Sequence, residues 1–457
     1  MLNVDSFLTK MGTAPKLTNI YETAIRFQNE MRAGLEGKHS SLPMIPSYIG
    51  EAFPPVAGEF VIGIDAGGTN LRISLIQFNT QGMPEIKEIK HHPMPGTTGQ
   101  ITSDDFFDFL ATELEEFLEI TRKIGFCFTY LVEILPSRDG KIFGLGKEVE
   151  IVGCEGKVIG EELSKALCRK GLPNFTQITV LDDTTASLIA GKCLCKDQDY
   201  ADVVAYILGT GTNLCYYEKN EAITKSPFLS GKTGRTIINV ESGCFDGQVR
   251  GSLDLEFWAE TLHPESHHAE KMIGGQYLGD LLEKYFMKAV DYSLFSDKGA
   301  ELIRSLKKIE TKDISNYFSI KNEWNPFEKI EVKDDTKNIE DFFPIHHADN
   351  PLGTLRTLNH EDLEIANALI VALIERAAKL VVSSILGCLM QISTGKDPNR
   401  PVLILVEGST FFRFTTLQER ILHYVKTEIR KKQGYHVVFK ELEHTVLLGT
   451  AYAATLE

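Results

Sequence analysis

The residues best suited to chemistry in this chain lie in two short glycine turns, each between two apolar stretches. The first turn, Asp65-Ala66-Gly67-Gly68-Thr69-Asn70, lies within FVIGIDAGGTNLRISLIQF, at 60–78. Glycines allow positive φ and let backbone N–H groups approach a ligand closely. With Asp65 at the end of the first strand, the turn suits a phosphate that carries Mg²⁺. An ordinary Gly-Gly hairpin turn is the alternative interpretation of the same pattern.

A second stretch repeats this arrangement further along the chain. VVAYILGTGTNLCYY, at 203–217, carries the turn Gly209-Thr210-Gly211-Thr212-Asn213 between two apolar strands. Two strand–turn–strand units suggest an internal duplication, and two hairpins facing each other would clamp one nucleotide from both sides. Two unrelated hairpins are the alternative.

A buried strand predicted over 177–182 ends in two adjacent acids, Asp182 and Asp183. A carboxylate at a strand end, such as Asp183, can accept a hydroxyl proton during phosphoryl transfer. Open α/β sheets place their chemistry where strands end and helices begin. Crowding by Asp182 is expected to raise the pKa of one member of the pair. Alternatively, Asp182 or Asp183 caps the following helix, and the two roles are compatible.

Three further groups of polar residues are weaker candidates. Lys147, in a glycine-bounded loop, would donate to a sugar hydroxyl or a phosphate, or it is a solvated surface lysine. The stretch Asn239-Val240-Glu241 and Glu270 offer acceptors for the hydroxyl groups of a polyol. Standing alone, a glutamate such as Glu270 is more often a solvated helix residue. Gly408-Ser409-Thr410 follows a buried strand and is placed to approach a nucleotide.

The elements that must position these residues alternate between strands and helices, which predicts an α/β fold. Apolar periodicity predicts helices over 17–35, 102–123 (with Ser103 as a possible N-cap), 157–170, 184–193, 274–288, 363–392 and 446–456. It predicts strands over 60–78 (a pair), 125–133, 177–182, 203–218 (a pair) and 401–407. Residues 136–155 are interpreted as a polar loop, and residues 296–350 as short helices and loops.

Composition narrows the class of protein. The chain has 457 residues, enough for two or three domains, and 43% hydrophobic and 24% charged residues are ordinary for a globular protein. A net charge of −15 argues against general nucleic-acid binding. The eight cysteines are spread singly, which favours a reduced, cytoplasmic protein over a disulfide scaffold. The N-terminal stretch MLNVDSFLTKMG lacks the pattern of a secretory signal, and charges inside helix 363–392 argue against a membrane span.

Eight motifs, taken in order, carry a family resemblance. They are IDAGGTNLR at 64–72, FTY at 128–130, GCEG at 153–156, DDT at 182–184, ILGTGTN at 207–213, INVESG at 238–243, EKMIGGQYLG at 270–279 and VEGST at 406–410. Their order and spacing resemble those of the hexokinase family, within the actin-like ATPase superfold, over most of the chain. Each motif is weak alone, and the set is highly specific.

The resemblance implies a role for each matching residue. It implies a catalytic base, Asp183, together with Lys147. It implies sugar contacts from Thr129, Lys147, Asp182, Asp183, Asn213, Glu241 and Glu270. It implies nucleotide contacts from Asp65, Gly67, Gly68, Thr69, Asn70, Arg72, Gly211, Thr212, Gly408 and Ser409. The implied cofactors are ATP and Mg²⁺, with the metal held mainly by ATP, Asp65 and Asp183 nearby and no direct side-chain ligand.

The resemblance also implies an architecture and an activity. The fold would be two-lobed, with duplicated ribonuclease-H-like domains that close on the sugar and exclude water. The small domain would span 58–181 with the C-terminal helix 446–457, and the large domain 182–445 with the N-terminal helix and linker of 1–57. The activity would be transfer of the γ-phosphoryl group of ATP to the 6-hydroxyl of a hexose, glucose first, in glycolysis. A cytoplasmic monomer or homodimer without membrane or nucleic-acid partners is expected.

Six residues depart from the family pattern, all in the implied sugar site. They are Thr129 for serine, Leu131 for proline, Gly146 for threonine, Asp182 for asparagine, Ser242 for tryptophan and His267 for glutamine. An ionised aspartate only accepts hydrogen bonds, whereas asparagine also donates, so the preferred hexose stays open. A catalytically inactive sugar sensor of the same fold is the first rival hypothesis. A sugar-independent actin- or chaperone-like ATPase is the second.

Overall fold

The computed structural model describes residues 3–51, 57–145, 149–319, 343–344 and 349–456. The strands are β1 Ile45–Pro46, β2 Phe60–Ala66, β3 Asn70–Phe78, β4 Pro84–Pro93, β5 Ile101–Thr102, β6 Lys123–Phe128, β7 Leu131–Ile134, β8 Gly140–Gly144, β9 Ile151–Val152, β10 Gln177–Leu181, β11 Asp202–Leu208, β12 Thr212–Lys219, β13 Arg235–Asn239, β14 Phe318–Ser319, β15 Phe343–Pro344, β16 Val402–Glu407 and β17 Val437–Lys440. They form two main sheets and three short two-stranded ladders.

Helices cover both sheets. They are α1 Val4–Met11, α2 Ile20–Leu35, α3 Ser103–Leu118, α4 Ile159–Arg169, α5 Asp183–Leu194, α6 Ser252–Ala259, α7 Glu270–Ile273, α8 Leu278–Asp291, α9 Asp297–Ser305, α10 Thr311–Ser315, α11 His360–Ile392, α12 Ser409–Arg413, α13 Thr415–Tyr424 and α14 Thr445–Ala453. Within the described ranges, no helix combines the length and the apolar character that crossing a membrane requires.

The smaller sheet has five strands in the order β10-β6-β2-β3-β4. Its central strand β2 is buried almost throughout, because Val61, Ile62 and Ile64 are β-branched residues packed on both faces. Strands β2, β6 and β10 run parallel, so their carboxyl ends meet at one edge of the sheet. β2 and β3 form the predicted antiparallel hairpin around the first glycine turn.

The larger sheet has six strands in the order β1-β13-β12-β11-β16-β17. β11 and β12 form the second predicted hairpin, and β11, β16 and β17 run parallel. The long helix α11 packs against α2 and α13 on the outer face of this sheet. The two hairpins therefore occupy corresponding places in the two sheets, as the predicted duplication requires.

Two helices connect the sheets. α5 packs on β11 and β12 of the larger sheet, α14 packs on β2 and β6 of the smaller sheet, and the two helices pack against each other. Their crossing is so close that a Cβ atom on Gly449 would lie 1.8 Å from the carbonyl oxygen of Ala186. The residue at this crossing must be glycine, and the crossing fixes the first turn of α5.

Most predicted elements are confirmed, with shifted ends. Asn359 caps α11, since its Oδ1 accepts from the N–H of Asp362 at 2.9 Å. The predicted cap Ser103 is wrong by one residue, because the Thr102 hydroxyl accepts from the N–H of Asp105 at 3.1 Å. The predicted strand 125–133 is two strands, β6 and β7, and the loop predicted over 136–155 contains β8 and β9. The short helices predicted within 296–350 are confirmed by α9 and α10, and most of the remainder of that region lies outside the described residues.

Replacing Gly449 tests the crossing of α5 and α14. We expect Gly449→Ala to lower the free energy of unfolding by about 1–3 kcal/mol, because the added methyl group forces the two helices apart. Urea unfolding of the purified protein measures this change. Gly144→Ala is the matched control, since a Cβ atom there meets open space. Equal stability of the Gly449 and Gly144 variants would contradict the close crossing.

Candidate active site

A cavity of about 580 Å³ is lined by residues that follow strands of both sheets. It brings together eight of the residues predicted to contact substrate or phosphate, which are Thr129, Asp182, Asp183, Gly211, Thr212, Asn213, Glu241 and Glu270. Thr129 follows β6 and the aspartates follow β10, whereas the remaining five come from the large-sheet side. The carboxyl ends of parallel strands thus supply one wall, as the open-sheet rule predicts.

The aspartate pair occupies the junction of β10 and α5. Asp182 is the N-cap of α5, because its Oδ1 accepts from the N–H of Thr185 at 2.9 Å and its Oδ2 from the Thr185 hydroxyl at 2.6 Å. Asp183 is the first helical residue and lines the cavity. The capping interpretation therefore applies to Asp182, and Asp183 remains available to a ligand.

The surroundings of Asp183 favour its protonated form. Burial, followed by the negative charges of Asp182 and Glu407, raises the pKa of Asp183 to about 7. A hydroxyl hydrogen bond from Thr184, at 3.1 Å, opposes this rise. Burial likewise raises the pKa of Asp182, against the hydrogen bonds from Thr185. A carboxyl group that titrates near neutral pH is suited to general-base catalysis.

A chain of amides and acids forms the opposite wall. The side-chain N–H of Asn213 donates to Asn239 Oδ1 at 2.9 Å, and Asn239 donates onward to Glu241 Oε1 at 2.7 Å. Asn213 Oδ1 accepts from the N–H groups of Leu214 and Ser242. These bonds fix the Asn213 amide, so that its second N–H remains for a ligand hydroxyl. The sequence predicts Asn239 as an acceptor for a ligand hydroxyl, whereas in the structure its side chain bridges Asn213 and Glu241.

Glu241 is held in a less common backbone conformation. Its φ of 55° lies in the left-handed region, which is uncommon for residues other than glycine. Burial and the charges of Asp182 and Glu270 raise the pKa of Glu241 to about 7. The strained backbone aims this carboxyl group at the same cavity as Asp183.

Glu270 connects the cavity to the second glycine turn. Its Oε2 accepts from the backbone N–H of Thr212 at 3.0 Å, and a Cβ atom on Gly211 would lie 2.3 Å from the same oxygen. Burial raises the pKa of Glu270. Glycine at 211 is therefore required for the carboxylate to reach the turn.

A second cavity, of about 740 Å³, lies on the other side of this turn. Thr210 lines it, whereas Gly211 and Thr212 line the first cavity. Three cationic side chains also line it, and these are Lys308, Lys312 and Arg413. The predicted nucleotide residue Ser409, at the start of α12, completes this wall. Asp280 and Glu310 also line this cavity and form ion pairs with Lys308 and Lys312, respectively. The turn at 209–212 therefore separates an acidic cavity from a cavity whose wall carries both signs of charge.

Neighbouring backbone segments hold the second turn in place. The carbonyl oxygen of Gly209 accepts from the N–H of Gly275 at 2.8 Å and from the Thr410 hydroxyl at 2.7 Å. The N–H of Gln276 donates to the carbonyl oxygen of Thr210 at 3.0 Å. Gly408, with φ 109°, passes so close to Leu208 that a Cβ atom would clash with its carbonyl group. The turn is thus preorganised before any ligand arrives.

The first glycine turn is more exposed. Gly68, Thr69 and Asn70 face solvent, and the Tyr130 hydroxyl donates to the carbonyl oxygen of Gly67 at 2.8 Å. Asp65 and Arg72 are opposite each other in the β2–β3 ladder and form an ion pair at 2.5 Å. Burial nevertheless raises the pKa of Asp65, while Arg72 lowers it. Arg72 and Gly408 line a third, smaller cavity together with Glu407.

The residues that depart from the family pattern lie in different places. Leu131 and His267 are exposed and line the acidic cavity. Ser242 is buried and faces a separate small cavity, and its hydroxyl has no hydrogen-bond partner among the described residues. Gly146 and Lys147 lie outside the described residues, so the role predicted for Lys147 stays a prediction.

Glu407 is a residue that the sequence analysis missed. It ends β16 directly before Gly408, and it accepts a hydrogen bond from the Ser187 hydroxyl of α5. Its signal in the sequence is an acid at the end of an apolar strand, the same signal that drew attention to Asp65 and Asp182.

Comparison with known proteins identifies the family. Two family models, both described as hexokinase, match residues 4–193 and 203–456. The chain belongs to the hexokinase family. Hexokinase-10 of Oryza sativa subsp. japonica is 28% identical over 446 residues, which cover 93% of this chain and 85% of that protein. Hexokinase-1 of Schizosaccharomyces pombe is 27% identical over 454 residues, which cover 96% of this chain and 87% of that protein.

Solved structures of hexokinases share the fold. A Schistosoma mansoni hexokinase, solved with glucose, is 21% identical with a TM-score of 0.72, over 99% of this chain and 98% of that one. Another hexokinase crystal structure is 19% identical with a TM-score of 0.75, over the same shares of the two chains. The two-lobed, actin-like α/β fold predicted from the sequence is confirmed.

The raised pKa of Asp183 makes a prediction about stability. The folded pKa, about 7, lies above the ordinary value of 3.8, so ionising Asp183 in the folded protein costs free energy. This cost grows as pH rises from about 4 to about 7. We expect Asp183→Asn to raise the melting temperature at pH 8 and to change it little at pH 4, as measured by calorimetry. Asp291→Asn, on the surface of α8, is the control, and a melting temperature for Asp183→Asn that is unchanged at pH 8 would contradict the assignment.

Proposed function

We propose that this protein transfers the γ-phosphoryl group of ATP to the 6-hydroxyl of a hexose, with glucose as the first candidate. The observation that carries the proposal is the position of the turn at 209–212. An acidic cavity with Asp183 lies on one side of the turn, and a cavity lined by Ser409, Arg413 and two ion-paired lysines lies on the other. A sugar in the first cavity and a nucleotide in the second would meet at this turn.

Asp183 is the proposed base. It accepts the proton of the 6-hydroxyl as that oxygen attacks the γ-phosphorus. The pKa of about 7 leaves a substantial ionised fraction at neutral pH and makes the ionised form a stronger base than an ordinary aspartate. Lys147, by resemblance, assists in the same step.

The polar wall of the acidic cavity is the proposed sugar site. Hydroxyl groups buried there need acceptors and donors, and carboxylates alone supply only acceptors. Glu241 and Glu270 accept from sugar hydroxyls, and the free N–H of Asn213 donates to one. Asp182 and the Thr129 hydroxyl complete the set.

The two glycine turns are the proposed phosphate sites. Their backbone N–H groups would bind phosphoryl oxygens, with Gly67, Gly68, Thr69 and Asn70 on one side and Gly211 and Thr212 on the other. Mg²⁺, carried by ATP near Asp65 and Asp183, supplies charge neutralisation at those oxygens when bound. Gly408 and Ser409 would hold the adenosine.

Several broader features belong to the same proposal. The small domain would comprise 58–181 with helix 446–457, and the large domain 182–445 with residues 1–57. Closure of the two lobes would exclude water, which otherwise competes with the sugar as nucleophile. A cytoplasmic monomer or homodimer acting in glycolysis fits this activity.

Release of ADP from MgATP tests the proposed function. Glucose, mannose, fructose and glucosamine are added in turn. We expect no ADP release without sugar and rapid ADP release with a hexose. Release without sugar would indicate an ATPase. Glucose binding with no ADP release for any of these hexoses would indicate a sugar sensor. Either result would refute the kinase.

Replacing Asp183 tests the proposed base. We expect Asp183→Ala to lower kcat by about 100-fold or more while glucose still binds, because proton transfer loses its acceptor. Asp291→Ala, a surface acid of α8, is the control. Turnover of Asp183→Ala comparable to that of the control would overturn the assignment.

A further inference from the structure

Glu407 lies where three parts of the active site meet. It is the last residue of β16, in register with Ile207 of β11, two residues before the second glycine turn. The next residue, Gly408, begins the proposed adenosine turn. Glu407 therefore belongs to the strand that supports both nucleotide-binding segments, although no role has been assigned to it so far.

The side chain of Glu407 contacts α5. It accepts a hydrogen bond from Ser187, which is 1% exposed. Ser187 is one turn after Asp183 in α5, so both residues occupy the same face of that helix. A carboxylate on β16 thereby holds the helix that carries the proposed base, one turn after that residue.

Charged groups face this region from every element packed around it. Asp182 precedes Asp183 on the same element, and Cys127 of β6 lies close to both aspartates. Asp65 of β2 and Arg72 of β3 act on Glu407 from the smaller sheet, and the Thr445 hydroxyl of α14 contacts it. Glu441 lines the small cavity beside Glu407.

Electrostatics favours an interaction between Glu407 and Asp183. The negative charge of Glu407 is one of the causes that raise the pKa of Asp183. Burial in turn raises the pKa of Glu407, while the Ser187 hydroxyl and Arg72 lower it. Like charges in a poorly solvated site each disfavour ionisation of the other.

We propose that Glu407 is a positioning residue for phosphoryl transfer, which orients Asp183 through Ser187 and strengthens it as a base through its own negative charge. The inference rests on the proposed function, in which Asp183 accepts the hydroxyl proton. Glu407 itself touches neither the sugar nor the phosphate in this account.

The pH dependence of kcat/KM for the hexose tests this role. We expect Glu407→Gln to move the acidic limb to lower pH by about half a unit or more, because removing the charge lowers the pKa of Asp183. The plateau kcat falls as well, since the base is weaker. Glu407→Asp retains the charge and leaves the limb in place, as does Glu443→Gln, a control at an exposed acid.

The variant Ser187→Ala separates the orientation of Asp183 from the effect of the Glu407 charge. It removes the hydrogen bond and keeps the carboxyl group, so we expect a lower kcat, an unchanged KM and an acidic limb that moves less than in Glu407→Gln. An acidic limb in Glu407→Gln identical to that of the unmodified protein would overturn the proposal. If Glu407→Gln does not fold, Glu407→Ser removes the same charge with less bulk, and the same shift is required of it.

A measurement of stability tests the interaction without any activity. We expect Asp183→Asn to raise the melting temperature at pH 8 by less in the Glu407→Gln background than alone, because the repulsion has already been removed. Additive effects would overturn the proposed interaction even if the protein phosphorylates hexoses. Absence of hexose-dependent ADP release in the unmodified protein, with non-additive effects retained, would instead refute the proposed function alone.

Discussion

Burying carboxyl groups between two sheets costs free energy, and the arrangement of the active site follows from how each of these costs is offset. The cost of burying Asp65 is partly offset by the guanidinium of Arg72 across the β2–β3 ladder. The cost of burying Asp182 is partly offset by two hydrogen bonds from Thr185 at the start of α5. Asp183, between Asp182 and Glu407, receives a hydroxyl hydrogen bond from Thr184, and its pKa remains raised to about 7. The offset is incomplete at all three carboxyl groups, since their pKa values are raised, and the value of about 7 suits Asp183 to the role of the proposed base.

The same constraint explains why the backbone around the site is so tightly packed. The carboxylate of Glu270 reaches the N–H of Thr212 only because residue 211 lacks a side chain. α5 holds its place against α14 only because residue 449 lacks one. Rigid backbone is needed here, since an error in the position of a base or an N–H donor weakens its interaction with a developing charge.

Local sequence patterns were sufficient for much of the fold and for many of the site residues. Apolar runs predicted β2, β11, β16 and α11, because burial on both faces leaves a continuous signal. Glycine turns and strand-end acids predicted residues that the structure gathers from both sheets.

Other features depend on contacts between distant segments. The short strands β8 and β9 have little apolar periodicity. In addition, β9 pairs with β5, which is remote in the sequence. The role proposed for Glu407 depends on its hydrogen bond with Ser187, which lies 220 residues away in the sequence. No spacing rule connects these two residues, so only the folded chain shows their contact.

The rate of phosphoryl transfer within a single turnover tests the central claim most directly. Protein saturated with glucose is mixed with γ-labelled MgATP and quenched over milliseconds, at pH values from 5 to 9. The account predicts that the rate rises about tenfold per pH unit below pH 7 and levels off above it, as Asp183 ionises. A rate that stays constant across this range, with sugar and nucleotide bound throughout, would contradict the claim that a buried carboxylate at Asp183 accepts the proton.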